Sequence, residues 1–301
     1  MKVRSLVVAS IVLLTFLATA TGTVAWAYYA KVEIPLDRKT NLPGFIFLPR
    51  CEFKGSLPAV VIGVGVGGTK ILQYHDHCQC LADRGFVVLL IDPSNYPEFM
   101  APGPWTWDRD FGYALGSFNQ GYVGAKLALG KEWYLKSFKA SVDYLTAWPL
   151  VDREKIALSG FSQPANAALS CACRDPRVKA VVWNYGGWPW IMPYEPFRLP
   201  PVAIFHGEDD EVYDVKYARE LALNLKTSMR PFELNIYPNQ KHMFNIYYDL
   251  RNENRFMKPA LLDAFERMVA FLKETMGVDR RKPRGMGRRA ALHYTDSPLN
   301  R

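Results

Sequence analysis

The stretch from Lys155 to Ala168, Lys-Ile-Ala-Leu-Ser-Gly-Phe-Ser-Gln-Pro-Ala-Asn-Ala-Ala, constrains the fold more than any other part of the chain. An apolar strand pattern at Ile156–Leu158 runs into Gly160, then a serine, then a run of small residues with helical character. This is a strand-turn-helix junction with Ser162 at its apex. So sharp a turn leaves the hydroxyl exposed above a sheet edge and aims the following backbone N–H groups at whatever the oxygen attacks. Gly160 fits because the turn leaves no room for a Cβ two residues before the serine. Pro164 is tolerated in the first helical turn, where its missing N–H would have no partner in any case.

A junction of this kind needs a sheet with helices beside it, and the pattern around it supplies both. Val32–Leu36 and Phe45–Leu48 read as short strands about a turn at Asn41–Gly44. Pro58–Gly63 and Phe86–Ile91 are continuous apolar runs, as expected of strands buried on both faces. Val178–Tyr185, Val202–Phe205 and Phe232–Tyr237 complete the set with the serine strand. Helices are predicted over about Leu72–Arg84, Glu132–Trp148, Ser162–Arg174, Asp214–Ser228 and Pro259–Met276. Alternation of this kind implies an α/β fold: a mainly parallel, doubly wound sheet of about eight strands with helices on both faces. In such sheets chemistry sits at the carboxyl ends of the strands.

The Gly-x-Ser elbow resembles the nucleophile motif of the alpha/beta-hydrolase superfamily, with Pro164 where that motif usually has a second glycine. A serine hydroxyl is a weak nucleophile and needs a base, normally an imidazole held by a carboxylate. Of the five histidines, His293 lies in the tail, His75 and His77 in a predicted helix and His206 at the end of a strand. His242, in Tyr-Pro-Asn-Gln-Lys-His-Met-Phe after the last strand, is the one in a loop at the right edge. The acid is expected between them, after the strand ending His206-Gly207. The resemblance to the Gly-x-x-Asp pattern of the superfamily selects Asp210, with neighbouring Asp209 second. The acid loop Gly-Glu-x-Asp-Glu and the histidine loop Tyr-Pro-x-x-x-His-x-Phe are most similar to the dienelactone hydrolase branch. That branch often carries a cysteine nucleophile; here the elbow residue is Ser162, and Cys171 lies well into the following helix. The oxyanion hole is expected from the amides of Gln163 and of Val66, the latter in a loop where Gly65, Gly67 and Gly68 allow close approach. This loop lacks the Lys-Ser/Thr ending of a phosphate loop, and Asp92 stands at too loose a spacing for a dinucleotide site, so no cofactor is expected.

The net charge of +8 suggests a nucleic-acid partner until it is located. Asp279–Arg301 holds seven Lys/Arg against two Asp, a net +5, and Lys2 with Arg4 adds +2, so residues 31–278 carry only +1. A nearly neutral body argues against nucleic acid as partner, and the tail from Asp279 reads as a basic flexible extension. Residues 1–30 begin Met-Lys-Val-Arg and continue uncharged from Ser5 to Ala30, long enough to cross a bilayer. Leu6–Leu17 could be the core of a secretory signal cut after Ala18-Thr19-Ala20. Trp26, Tyr28 and Tyr29, at the position of an interfacial aromatic belt, favour an uncleaved anchor. Either reading puts the domain at residues 31–278 outside the cytoplasm, membrane-anchored or secreted. Five cysteines are too few for a disulfide framework, and the His75–Cys80 run does not converge at metal-ligand spacing, so no metal site is expected.

Two long segments without regular pattern, 96–130 and 186–200, are expected to form cap-like loops over the site. Trp105, Trp107, Trp188 and Trp190 in them are candidate substrate contacts, which suggests a small-molecule ester with an apolar or aromatic acyl group. The resemblance implies a serine hydrolase that cleaves carboxylic esters, thioesters or lactones through an acyl-serine intermediate. Two alternatives are a membrane-associated acyltransferase on the same triad and a non-catalytic binding protein on a hydrolase fold.

Overall fold

In a computed structural model, which describes residues 28–50, 53, 55–65, 68–93, 120–187, 195–246 and 257–278, eight strands form one sheet. In chain order they are β1 (Tyr29–Pro35), β2 (Asn41–Phe47), β3 (Leu57–Gly63), β4 (Val87–Ile91), β5 (Val151–Phe161), β6 (Val178–Asn184), β7 (Val202–Gly207) and β8 (Phe232–Tyr237). Their spatial order is β1-β2-β4-β3-β5-β6-β7-β8. Only the β1–β2 and β2–β4 pairs are antiparallel; every later pair is parallel. The expected mainly parallel, doubly wound sheet of about eight strands is the fold observed.

Among the described residues five α-helices flank it: α1 (Leu72–Ala82), α2 (Gln120–Thr146), α3 (Gln163–Ala172), α4 (Lys216–Thr227) and α5 (Met257–Thr275). The period-two alternation of the strands builds a core on each face. Ala59, Val61, Val87, Leu89, Leu158, Val181 and Ile204 turn toward α2, α3 and α4. Val60, Ile62, Val88, Leu90, Ala157, Val182 and Phe205 turn toward α1 and α5. β3 and β4 are buried at every residue, which is why they read as unbroken apolar runs. β8, at the sheet edge, keeps Leu234 and its neighbours partly exposed.

Three boundaries differ from the sequence-based expectation. The turn expected at Asn41–Gly44 is instead the first half of β2, paired with Val32–Pro35 of β1, and the chain reverses just before it, where the Leu36 and Asp37 amides donate to the Thr40 carbonyl. Helix α2 begins at Gln120 rather than near Glu132, so residues 120–130 belong to a helix and not to the first cap-like loop. Gly121, Gly124 and Gly130 each disfavour a helix by about 1 kcal/mol and hide its first turns from propensity reasoning. Strand β1 begins at Tyr29, inside the segment expected to end at Ala30. Its ring stacks on Phe47 with centroids 5.6 Å apart, as the Tyr29–Phe47 register requires. The rest of the N-terminal segment, the basic tail, and Trp105, Trp107, Trp188 and Trp190 lie outside the described residues. Among the described residues no helix is long and apolar enough to cross a membrane.

Candidate active site

The site begins with the backbone. β5 leads straight into α3, and Ser162 between them takes φ 64° and ψ −132°, a conformation that L-residues rarely adopt. Such strain persists only where the surroundings fix it. Here the Ser162 N–H donates to the carbonyl of Asn184 at 3.0 Å, and the Ser162 carbonyl accepts from the amide of Ala165 at 3.0 Å. Gly160 is required by contact: a Cβ would stand 2.4 Å from the Ala165 nitrogen and from the carbonyl group of Pro164. Pro164 itself is accommodated in the first turn of α3.

His242 follows β8 in a turn that reaches back over the end of β5. Its Nε2 lies 3.1 Å from Ser162 Oγ and its Nδ1 lies 2.7 Å from Asp210 Oδ2. Three residues spread over 80 positions of sequence thus form one hydrogen-bonded line, in the order expected of nucleophile, base and acid. Asp210, and not Asp209, meets the imidazole; Asp209 is exposed. The Asp210 side chain is fully buried and His242 is mostly buried, so the ion pair formed when His242 is protonated is little screened by water.

The acid is held by its own loop. Asp210 Oδ1 accepts the amides of Val212 and Tyr213, each at 2.8 Å, which leaves Oδ2 for His242. A Cβ on Gly207 would come within 2.3 Å of the Gln240 carbonyl, so the acid loop and the histidine loop pack backbone to backbone. Above the imidazole, the Tyr185 ring stands edge-on at 4.7 Å and the Tyr213 ring at 5.7 Å.

The Gln163 amide opens α3 directly after Ser162, the place expected of an oxyanion donor. Val66 lies outside the described residues, but Gly65 before it abuts the elbow. A Cβ there would meet Ser162 Cβ and the Phe161 carbonyl at 3.1 Å. Close approach by this loop is therefore built in. Cys171 is buried in α3, and burial pushes its thiol up to about 12, so it is a poor nucleophile.

Three further residues at the site were not singled out from the sequence. His206, in β7, donates its Nε2–H to the Tyr213 carbonyl at 2.8 Å and passes 3.4 Å from Asp210 Oδ2. Burial lowers its pKa against the smaller opposing pull of the Tyr213 carbonyl and Asp210, so it stays neutral beside the acid. Its place directly before the Gly-x-x-Asp run was the available signal. Asn184 and Asn245, which bond to each other at 2.9 Å, had none.

Residues 42–276 match the model of the dienelactone hydrolase family. Among curated proteins, PA2218 of Pseudomonas aeruginosa is 32% identical over 154 residues, covering 51% of this chain and 36% of that protein. The thiohydrolase apmlB of Arthrinium phaeospermum is 31% identical over 152 residues, covering 50% of this chain and 41% of that protein. The matched region thus spans less than half the length of both relatives. Among solved structures, the dienelactone hydrolase-like promiscuous phosphotriesterase P91, from metagenomic libraries, superposes with a TM-score of 0.63 at 21% identity. That match covers 83% of this chain and 98% of P91, and likeness at this identity speaks for the fold.

Proposed function

This chain belongs to the dienelactone hydrolase family, and on that premise we propose that it is a serine hydrolase cleaving carboxylic esters through an acyl-Ser162 intermediate. The observation that carries the proposal is the double engagement of His242, with Ser162 Oγ on one ring nitrogen and Asp210 on the other. His242 Nε2 takes the hydroxyl proton as Oγ attacks the carbonyl carbon, and Asp210 stabilises the imidazolium that results. Negative charge on the carbonyl oxygen is met by the amides of Gln163 and Val66. The imidazolium returns its proton to the departing alkoxide, which leaves as an alcohol. A water then gives a proton to His242 and its oxygen to the acyl carbon, and the acid is released as Ser162 recovers its proton.

The same steps cleave a thioester, with a thiol leaving, and the likeness to a thiohydrolase favours testing that class beside oxygen esters. The aromatic segments around Trp105, Trp107, Trp188 and Trp190 suit an apolar or aromatic acyl group. The N-terminal apolar run suits a domain held at, or released from, the outer face of a membrane. The hydrogen-bonded line of Ser162, His242 and Asp210 favours catalysis over a non-catalytic binding protein on this fold.

A fluorophosphonate probe tests the proposal. The purified protein should be labelled on Ser162, and Ser162→Ala should abolish labelling. Equal labelling of the mutant would reject the assignment. Parallel hydrolysis of matched p-nitrophenyl esters and acyl thioesters then ranks the two substrate classes.

A further inference from the structure

We infer that Asn245 is a positioning residue, which through Asn184 ties the histidine loop to the nucleophile elbow and so sets the Ser162–His242 distance. The inference rests on the reading of Ser162, His242 and Asp210 as a catalytic triad.

Asn184 closes β6 and is 1% exposed. Its Nδ2 donates to the Gly160 carbonyl at 3.0 Å and reaches Ser159 Oγ at 3.4 Å, while its main-chain carbonyl accepts the Ser162 N–H. One residue thus grips the elbow from two sides. The Gly160 carbonyl also fixes the amide's orientation, because only an NH2 group can face it. Asn184 Oδ1 must then point the other way, toward Asn245, and Asn245 must present its own NH2, 2.9 Å away. A single carbonyl in the elbow dictates the polarity of the whole strut.

The far end of the strut is three residues after His242. Between them Met243 takes φ 65°, and next to Asn184 Tyr185 takes φ 37° with its ring against the imidazole. With Ser162, these are three non-glycine residues in the left-handed range, each on a segment that the strut joins. Strained backbone holds its place only when over-determined by its surroundings. The bonds of Asn184 to the elbow and to Asn245 together tie the three segments to one another.

The strut is not explained by stability. Asn245 is 5% exposed, and among the described residues its Oδ1 is buried with no hydrogen-bond partner. Burying a polar oxygen in this way costs free energy that an apolar side chain of the same size would not incur. What the amide provides in return is a directional link between base and nucleophile, 61 residues apart from Asn184 to Asn245.

The test uses the full chain, with active sites counted by fluorophosphonate titration and turnover followed on a p-nitrophenyl ester. Asn245→Leu and Asn245→Asp both remove the donor at similar volume. Each should lower kcat per titrated site by about tenfold, the scale of one hydrogen bond made at the reacting geometry, with KM changed less than about twofold. Because the pair acts as one unit, adding Asn245→Leu to Asn184→Ala should lower kcat no further than Asn184→Ala alone. A kcat per site equal to wild type in both Asn245 variants would overturn the inference, as would losses that multiply in the double variant. A fall in thermal midpoint with kcat per site unchanged would likewise reduce Asn245 to a packing residue. If Asn184→Ala does not fold, the two Asn245 variants decide alone. Failure of the triad reading is distinguishable, since it shows in the wild-type protein as an absence of labelling.

Discussion

Replacing Asp210 with asparagine tests the site at its most constrained atom. The two side chains have the same shape, so the outcome depends on which end of the amide faces His242. Asp210 Oδ1 accepts two backbone amides, from Val212 and Tyr213, both at 2.8 Å. An NH2 group there would leave both donors unpaired in a buried place, so the asparagine oxygen must stay with them. Its NH2 then takes the position of Oδ2, 2.7 Å from His242 Nδ1. To accept that bond, His242 gives up the proton on Nδ1 and carries it on Nε2, the nitrogen 3.1 Å from Ser162 Oγ. In that tautomer it cannot take the serine proton. A wrong-tautomer substitution of this kind lowers kcat by about 10⁴-fold, equivalent to about 5 kcal/mol. KM should change less than about threefold, and the retained amide bonds should keep the thermal midpoint within a few degrees. Steady-state hydrolysis of a p-nitrophenyl ester together with fluorophosphonate labelling rates measures all of this. Asp209→Asn is the control: that side chain is exposed, and kcat should stay within about twofold. A loss below about a hundredfold in Asp210→Asn, or an equal loss in Asp209→Asn, would refute the tautomer argument.

Gly160→Ala sets a Cβ against backbone at 2.4 Å, and forced overpacking of this sort costs about 1–3 kcal/mol or more; urea unfolding should show a clear drop in stability or no folded protein at all. Gly207→Ala pushes instead on the Gln240 carbonyl, so activity per folded molecule should fall as the histidine loop is displaced, measured as kcat on the fraction that passes gel filtration. His77 sits edge-on to Phe161 and Phe265, both ring nitrogens without hydrogen-bond partners among the described residues, and burial lowers its pKa from 6.5 to about 3. Below pH 6.5 the unfolded chain therefore binds a proton that the folded protein refuses, and stability falls as pH drops toward 3, by about 1.4 kcal/mol per pH unit. Between pH 7 and pH 5 the loss from this group is about 2 kcal/mol. His77→Phe should remove that part of the slope in urea titrations at the two pH values, and an unchanged slope would count against the assignment.

Much of this architecture was legible because it rests on local rules. β3 and β4 are recognised by unbroken apolar runs, and the doubly wound class follows from the alternation of strands and helices. The Gly160-x-Ser162 elbow is visible because the contact between β5 and α3 excludes a side chain at a fixed offset from the nucleophile. His242 was reachable by elimination among five histidines, and Asp210 by likeness to a known acid loop. The first turns of α2 were missed for an equally local reason, three glycines whose helical cost is small beside a helix already nucleated and packed downstream.

The chain's linear order determined the alternation, the elbow and the candidates for each catalytic role, since strand period, turn sterics and side-chain chemistry all act within a few residues. The folded sheet supplied the physical ground for preferring Asp210 to Asp209, burying the first against His242 and leaving the second exposed. It also placed neutral His206 behind that acid and joined Asn184 to Asn245 beneath the elbow. Those outcomes depend on β6 lying between β5 and β7 and on which atoms their ends bring within 3 Å. Hydrogen bonds between segments such as Asp210 and His242, 32 residues apart, or Asn184 and Asn245, 61 apart, leave no periodicity in the sequence to read.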